Sequence, residues 1–112
     1  MGAVDSPIAR TPDPPYTAVI FTSARTSDSR GYGWMAARMV ELASKQPGYL
    51  GYESVNEESG GITVSYWVDH AAASAWKQVT EHLAAQQRGR DTWYADYTVR
   101  IATVDRAYGP QV

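Results

Sequence analysis

Cysteine is absent from the 112 residues, which excludes disulfides, thiolate nucleophiles and thiolate metal sites, and suits a reducing compartment. An excess of positive charge is absent too. Ten Lys and Arg stand against twelve Asp and Glu, a net charge of −2, so no surplus of cations exists to neutralise a run of phosphates, and nucleic acid is not an expected partner. Apolar runs are short: Ala18 to Phe21 falls far below the roughly 20 residues a membrane span needs. The first residues carry no apolar secretory core, so the expected location is the cytoplasm, away from any membrane. No GxSxG elbow, HExxH pair or P-loop occurs, which leaves serine-hydrolase, zincin and P-loop nucleotide-hydrolase readings without motif support. No metal site is expected.

What is present is an ordinary globular composition, 44% hydrophobic and 20% charged, long enough for one core. The aromatic set departs from average, with four Trp and eight Tyr against one Phe. Trp and Tyr carry polar tips that need partners when buried, so this choice suits a pocket or an interface better than a dry core.

Residues 1–15 hold four of the six prolines (Pro7, Pro12, Pro14, Pro15) and read as an extended or mobile arm. A folded unit is expected over 16–109, followed by a tail, 110–112. Tyr16 to Arg25 is rich in β-formers and alternates between two faces, the first strand. After a polar loop with two glycines, Met35, Met39, Leu42 and Ala43 recur at helical spacing until Pro47-Gly48 stops them. Tyr49 to Glu57 and Ile62 to Val68 are strand-like runs joined by Glu58-Ser59-Gly60-Gly61, which predicts an antiparallel hairpin. Asp69 is placed to cap a second helix with a stripe through Ala72, Ala75, Trp76, Val79 and Leu83, with a break near Thr80 and an end at Gly89. Tyr97 to Val104 alternates again, with Tyr97, Val99 and Ile101 on one face.

The order β-α-β-β-α-β predicts an α+β fold of the ferredoxin-like type, an antiparallel sheet with both helices on one face. The other face needs a cover. Ile20, Val64 and Val99 are expected on it, and no third helix is available, so a second copy packing sheet to sheet is the simplest cover. This predicts a homodimer in which the sheets form a dimeric α+β barrel.

Several motifs admit both a structural and a functional account. Gly31-Tyr32-Gly33-Trp34-Met35-Ala36 matches GxGxxA, but the preceding turn is long and polar and a hairpin follows where a dinucleotide fold needs parallel strands, so a glycine loop is the reading retained. His70 and His82 are twelve apart, roughly 120° around a helix axis, and do not converge on one metal. His70 reads as an exposed first-turn residue. His82 is a candidate base or hydrogen-bond donor as well as a packed histidine. Trp76 and Trp67 each suit core filler or pocket wall. Arg88, Arg90, Trp93 and Tyr94 bring two guanidinium groups beside two aromatics, a setting for an anionic or phenolic ligand, or a solvated helix end. Phe21, Ser23 and Tyr97 complete the candidate substrate-binding set.

The stretch Gln46-Pro47-Gly48-Tyr49-Leu50-Gly51-Tyr52-Glu53 resembles the junction of first helix and second strand in antibiotic biosynthesis monooxygenase domains. Ile62 to Trp67 followed by Ala75-Trp76 resembles that family's third strand and helix, and Pro14-Pro15-Tyr16 to Ser23 looks like the opening of a bacterial subgroup. The likeness spans about Pro14 to Gly109. It implies a dimeric α+β barrel and oxygenases that attack aromatic polyketides or quinols with neither metal nor flavin. The resemblance then implies His82 as base, Trp76, Trp93 and Tyr94 as holders of a flat substrate, and Arg88 or Arg90 as stabilisers of its anion. A second branch degrades heme with an Asn, a Trp and a His at positions that correspond here to Ser23, Trp76 and Gln86; only the Trp is retained. In the polyketide-tailoring pattern, Thr63 stands where an Asn is expected.

Three readings result: a cofactor-independent monooxygenase of an aromatic, polyketide-like or quinol-like molecule; a non-catalytic ligand-binding dimer on the same fold; and a heme-binding or heme-degrading protein. Oxygen uptake without added cofactor, tight binding without turnover, and a Soret shift on adding hemin respectively distinguish them.

Overall fold

The structure, a computed structural model, describes residues 6–87 and 93–110, and for 83–87 the backbone alone. The elements are β1 (Tyr16–Arg25), α1 (Tyr32–Ser44), β2 (Tyr49–Asn56), β3 (Gly60–Trp67), α2 (His70–Gln87) and β4 (Tyr94–Val104). The strands form one antiparallel sheet in the order β2-β3-β1-β4. This is the expected ferredoxin-like β-α-β-β-α-β architecture.

Residues opposite each other in an antiparallel pair share a face. Phe21 lies opposite Thr63 on one side and Val99 on the other, Val19 opposite Ser65 and Ile101, and Thr17 opposite Trp67 and Thr103. This face meets the helices. Trp67 packs there with Ala43 of α1 and with Ala73 and Trp76 of α2, flanked by Val19, Met39, Leu42 and Tyr49. Trp67 stacks on Trp76 at 5.6 Å between ring centroids, and its buried Nε1 donates to Ser65 Oγ at 2.9 Å.

Ile20 lies opposite Val64 on the other face, as expected. Val99 does not join them. Its partner is Phe21, so the period-2 alternation of β4 turns Val99 toward the helix side, and Arg100 stands beside Ile20 instead. The apolar surface on the open face is thus built from β1, β2 and β3, with Val55 75% and Ile62 51% exposed.

A register shift between Tyr49 and Gly51 gives β2 one extra residue. A bulge of this kind changes which residues face inward. Tyr49 packs on Trp67 from the helix side, while Tyr52, Ser54 and Asn56, rather than Gly51, Glu53 and Val55, continue that face.

The helices begin and end for local reasons. Asp69 Oδ1 accepts the Ala72 N–H at 2.8 Å, the expected N-cap of α2. The break expected near Thr80 is absent: Thr80 Oγ1 bonds back to the Lys77 carbonyl at 2.8 Å and the helix runs on to Gln87. Gly89, the expected terminator, lies outside the described residues. Gly48, after α1, has φ +84°, and a Cβ there would stand 2.7 Å from Ala72 Cβ, so both backbone angle and space demand glycine.

Residues 6–15 of the N-terminal arm run over the open sheet face and are tied to it. The Ala9 N–H donates to Glu53 Oε2 at 3.0 Å, and Thr11 Oγ1 donates to the Tyr16 hydroxyl at 2.9 Å. Glu53 also accepts from the Tyr66 hydroxyl. Gly51 lets the arm approach, because a Cβ there would stand 2.7 Å from Ala9 Cβ. No described helix is long and apolar enough to cross a membrane.

Candidate functional site

Between the helix-side face of the sheet and the two helices lies a cavity of about 580 Å³, within the size range of small-molecule sites. Its walls have three origins. Met35, Met39 and Val40 of α1 and Trp76 of α2 supply one apolar side. Phe21, Tyr94, Tyr97, Val99 and Ile101 supply the β1–β4 side, and Tyr52, Ser54, Asn56, Thr63 and Ser65 supply a polar side from β2 and β3.

Aromatic packing closes one end. Phe21 lies 5.1 Å from Tyr94 and 5.5 Å from Tyr97. Tyr32 meets Trp93 edge-on at 5.8 Å and Tyr94 at 6.1 Å. The Arg25 guanidinium lies over the Tyr32 ring, 3.4 Å from its centroid. Trp93 is fixed at both polar ends: its Nε1 donates to the Arg30 carbonyl at 2.8 Å, and its carbonyl accepts from Thr26 N–H at 2.8 Å and from Arg25 Nε at 3.3 Å.

Two of the wall phenols, Tyr94 and Tyr52, are held neutral. Burial, reinforced by a hydrogen bond with Tyr32, pushes the Tyr94 phenol well above its ordinary range. Burial raises Tyr52 too, against the opposing effect of a hydrogen bond from Thr63. Both therefore act as hydrogen-bonding groups near neutral pH and neither is a base. The charged residues at the rim, Lys77 and Glu81, pair at 3.7 Å.

The structure brings Phe21, Trp76, Trp93, Tyr94 and Tyr97 of the expected set together around this cavity. Trp67 is fully buried behind Trp76 as core. Ser23 lies on β1 opposite Gly61 and Tyr97 and is not among the cavity-lining residues. His82 is exposed and borders a separate groove between the helices with Arg38, Leu42, Ala75, Gln78 and Val79. The reason is helical phase. His82 follows Trp76 by six residues, roughly 240° further around the axis, so the helix turns it away from the cavity that Trp76 enters; it is withdrawn as the base for a cavity-bound substrate. Arg88 and Arg90 lie outside the described residues. His70 is exposed, as expected, and bonds Thr103 Oγ1 at 3.0 Å. Sequence reasoning missed Tyr32, Tyr52, Ser54 and Asn56. The polar residues at 52, 54 and 56 recur at strand period, a signal that becomes interpretable once the bulge assigns their face.

The family model for antibiotic biosynthesis monooxygenases matches residues 15–88, which include most of this cavity's wall. The chain belongs to that family. An uncharacterized protein of Bacillus subtilis, YqjZ, is 54% identical over 100 residues, covering 88% of both chains. Jasmonate monooxygenase of Pyricularia oryzae is 30% identical over 53 residues, 47% of this chain and 25% of that protein. Among solved structures, SnoaB from Streptomyces nogalater, a cofactor-independent oxygenase, has the same fold, with a TM-score of 0.62 and 13% identity over 87% of this chain and 98% of its own. PA3566 from Pseudomonas aeruginosa is likewise similar, with a TM-score of 0.60 and 20% identity over 90% of this chain and 99% of its own.

Within this monooxygenase fold the cavity wall carries no histidine among the described residues, and His82 faces the outer groove. The described donor set does not supply an axial imidazole for heme. No described cluster of three His, Asp or Glu side chains is arranged for a metal ion.

Proposed function

We propose that the chain is a monooxygenase that holds a flat, largely apolar aromatic or quinol-like molecule between sheet and helices and lets it react with O₂, with neither metal nor flavin. The cavity carries this reading: Trp76, Trp93, Phe21, Tyr94 and Tyr97 offer ring faces and edges, while the polar residues gather along β2 and β3. A substrate with an acidic C–H or O–H flanked by a carbonyl or ring loses a proton, and its anion passes an electron to O₂. Recombination gives a hydroperoxide, and loss of water leaves a carbonyl. The balance for a methylene is CH₂ + O₂ → C=O + H₂O, so no outside reductant enters. Tyr52 and Tyr94, raised by burial, are poor bases, so the proton leaves toward the rim, to water or to the Glu81 carboxylate, and the protein acts by positioning and by stabilising the anion.

Oxygen-electrode measurements with 1,8-dihydroxyanthrone in the presence of a chelator test this. Uptake above the protein-free rate with formation of the anthraquinone is expected; uptake at the protein-free rate refutes it. The absence of a histidine among the described groups lining the cavity favours a second reading, a binding protein of the same fold, for which the anthrone binds and uptake stays at background.

We also infer a homodimer through the open sheet face, motivated by exposed Val55 and Ile62 beside Ile20 and Val64. Light scattering should give twice the 12.3 kDa chain mass, and Ile62→Glu should halve it. A wild-type mass of one chain refutes the dimer.

A further inference from the structure

Charge enters the cavity wall at one place. Among the described lining residues, Lys77 and Glu81 are the two that carry a full charge; every other one is apolar, aromatic, hydroxyl or amide. Both come from α2. Trp76 and Thr80 form one i, i+4 row along that helix, and Lys77 and Glu81 form the row beside it. Trp76 is buried, Thr80 half-buried, and Lys77 and Glu81 exposed, so the charged row stands at the mouth while the neutral row leads inward. Lys77 Nζ lies 3.7 Å from Glu81 Oε1.

Stabilising the helix does not account for this pair. A helix gains more when the glutamate precedes the lysine by four residues, and here the lysine comes first. The stronger order is found on α1, where Glu41 pairs with Lys45 four residues later and also with Arg38. That carboxylate does not line the cavity.

We propose that Glu81 is the proton acceptor of the oxygenation and that Lys77 is the counter-charge kept beside it. The proposal rests on the oxygenase reading above and chooses between its two acceptors. The substrate C–H bond breaks toward a Glu81 carboxylate oxygen and its electron pair stays on the ring system. One electron passes to O₂, and recombination gives a peroxide anion that takes the proton back from Glu81. The hydroperoxide then loses water, leaving the carbonyl product and a carboxylate ready for the next molecule. Charge balance favours this route over release to water. Before transfer the mouth holds one cation and one anion; afterwards it holds Lys77, a neutral carboxylic acid and the substrate anion. The negative charge moves to the ligand with the ammonium still beside it, and no charge is left unmatched.

Oxygen uptake with 1,8-dihydroxyanthrone, with the protein-free rate subtracted, tests this. Glu81→Gln keeps the size of the side chain and removes its basic oxygen. In that variant kcat should fall about 10²-fold, the lower end for a positioned general base, with KM close to that of the wild type. In Glu81→Ala, added sodium formate should restore uptake as its concentration rises, a recovery that a merely structural role would not show. Lys77→Met should lower kcat as well, and formate should not restore it. Glu41→Gln, outside the cavity, should leave the rate unchanged. Naphthalene binding, read by tryptophan fluorescence, reports the cavity without chemistry and should be the same in Glu81→Gln as in the wild type. An unchanged kcat in Glu81→Gln, or a loss that formate fails to restore in Glu81→Ala, overturns the inference and leaves the oxygenase reading standing. Wild-type uptake at the protein-free rate removes both.

Discussion

Replacing Ser65 by Ala removes one oxygen from a strand residue that is 3% exposed, yet it should be among the more costly single changes in the chain. Ser65 Oγ is the acceptor for the indole Nε1 of Trp67, a residue with no exposed surface. Without it the indole N–H is buried with no partner, which costs about 1–3 kcal/mol. For a domain of this length, each kcal/mol lowers the unfolding midpoint by about 4 °C, so a fall of about 4–12 °C follows, in a protein whose whole stability is of the order of 5–15 kcal/mol. The mechanism is separable from a general packing loss by repeating the change in a Trp67→Phe background. Phenylalanine has no N–H to strand, so there the same serine deletion should cost about 0.5 kcal/mol or less. Thermal unfolding by circular dichroism, with urea titration for the free energies, gives the four values. A serine deletion equally costly in both backgrounds would refute the reasoning. Because Trp67 backs the stacked Trp76, the single variant should also loosen the cavity wall and weaken naphthalene binding.

Gly48→Ala places a Cβ 2.7 Å from that of Ala72 at φ +84°; the backbone term alone is about 1–2 kcal/mol, and the urea midpoint should fall by more than that implies. Burial raises the phenols of Tyr94 and Tyr52 above 10.0. With a folded pKa above the unfolded one, their stability contribution is intact below about pH 10 and falls as pH climbs from there toward the folded value. The urea midpoint should therefore decline above about pH 10, less steeply in Tyr94→Phe, and a parallel decline in both forms would contradict this. His82→Ala should leave probe affinity and any oxygen uptake unchanged, since His82 borders the outer groove; a loss of turnover without loss of fold would restore it as a base.

Element order, sheet topology and the Asp69 cap were legible because each rests on local signals: alternation, helical recurrence, and a capping residue one position before the helix. The aromatic half of the site was legible as well, since Trp76 and Trp93 flank the chain where α2 leads into β4. Three things were not. His82 looked suitable by proximity in sequence to Trp76, but helical phase decides direction and turns it outward. Val99 was placed on the open face because alternation within β4 fixes which residues share a side without fixing which side that is; register with β1 supplies the answer. The polar wall was hidden by the bulge at Tyr49–Gly51, since strict alternation from Tyr49 would have sent Glu53 and Val55 inward and Tyr52 outward.

That single extra residue ties the two faces of the sheet together. By setting the parity of β2 it sends Tyr52, Ser54 and Asn56 into the cavity, and by the same step it sends Glu53 to the open face, where it accepts from Tyr66 and from the backbone of Ala9. Removing the bulge would turn the Glu53 carboxylate to the helix side of the sheet and leave the arm without its acceptor, a cost of several kcal/mol where the charge is buried. The neutral, hydrogen-bonding character of the β2–β3 wall and the docking of the arm are therefore consequences of one register choice. The chemistry follows from that neutrality. Burial raises the pKa of a phenolic guest just as it raises those of Tyr52 and Tyr94, so an anion forms inside when donors on the wall compensate for the lost water. The hydroxyl and amide groups of Ser54, Asn56 and Thr63 supply that compensation without introducing a fixed charge.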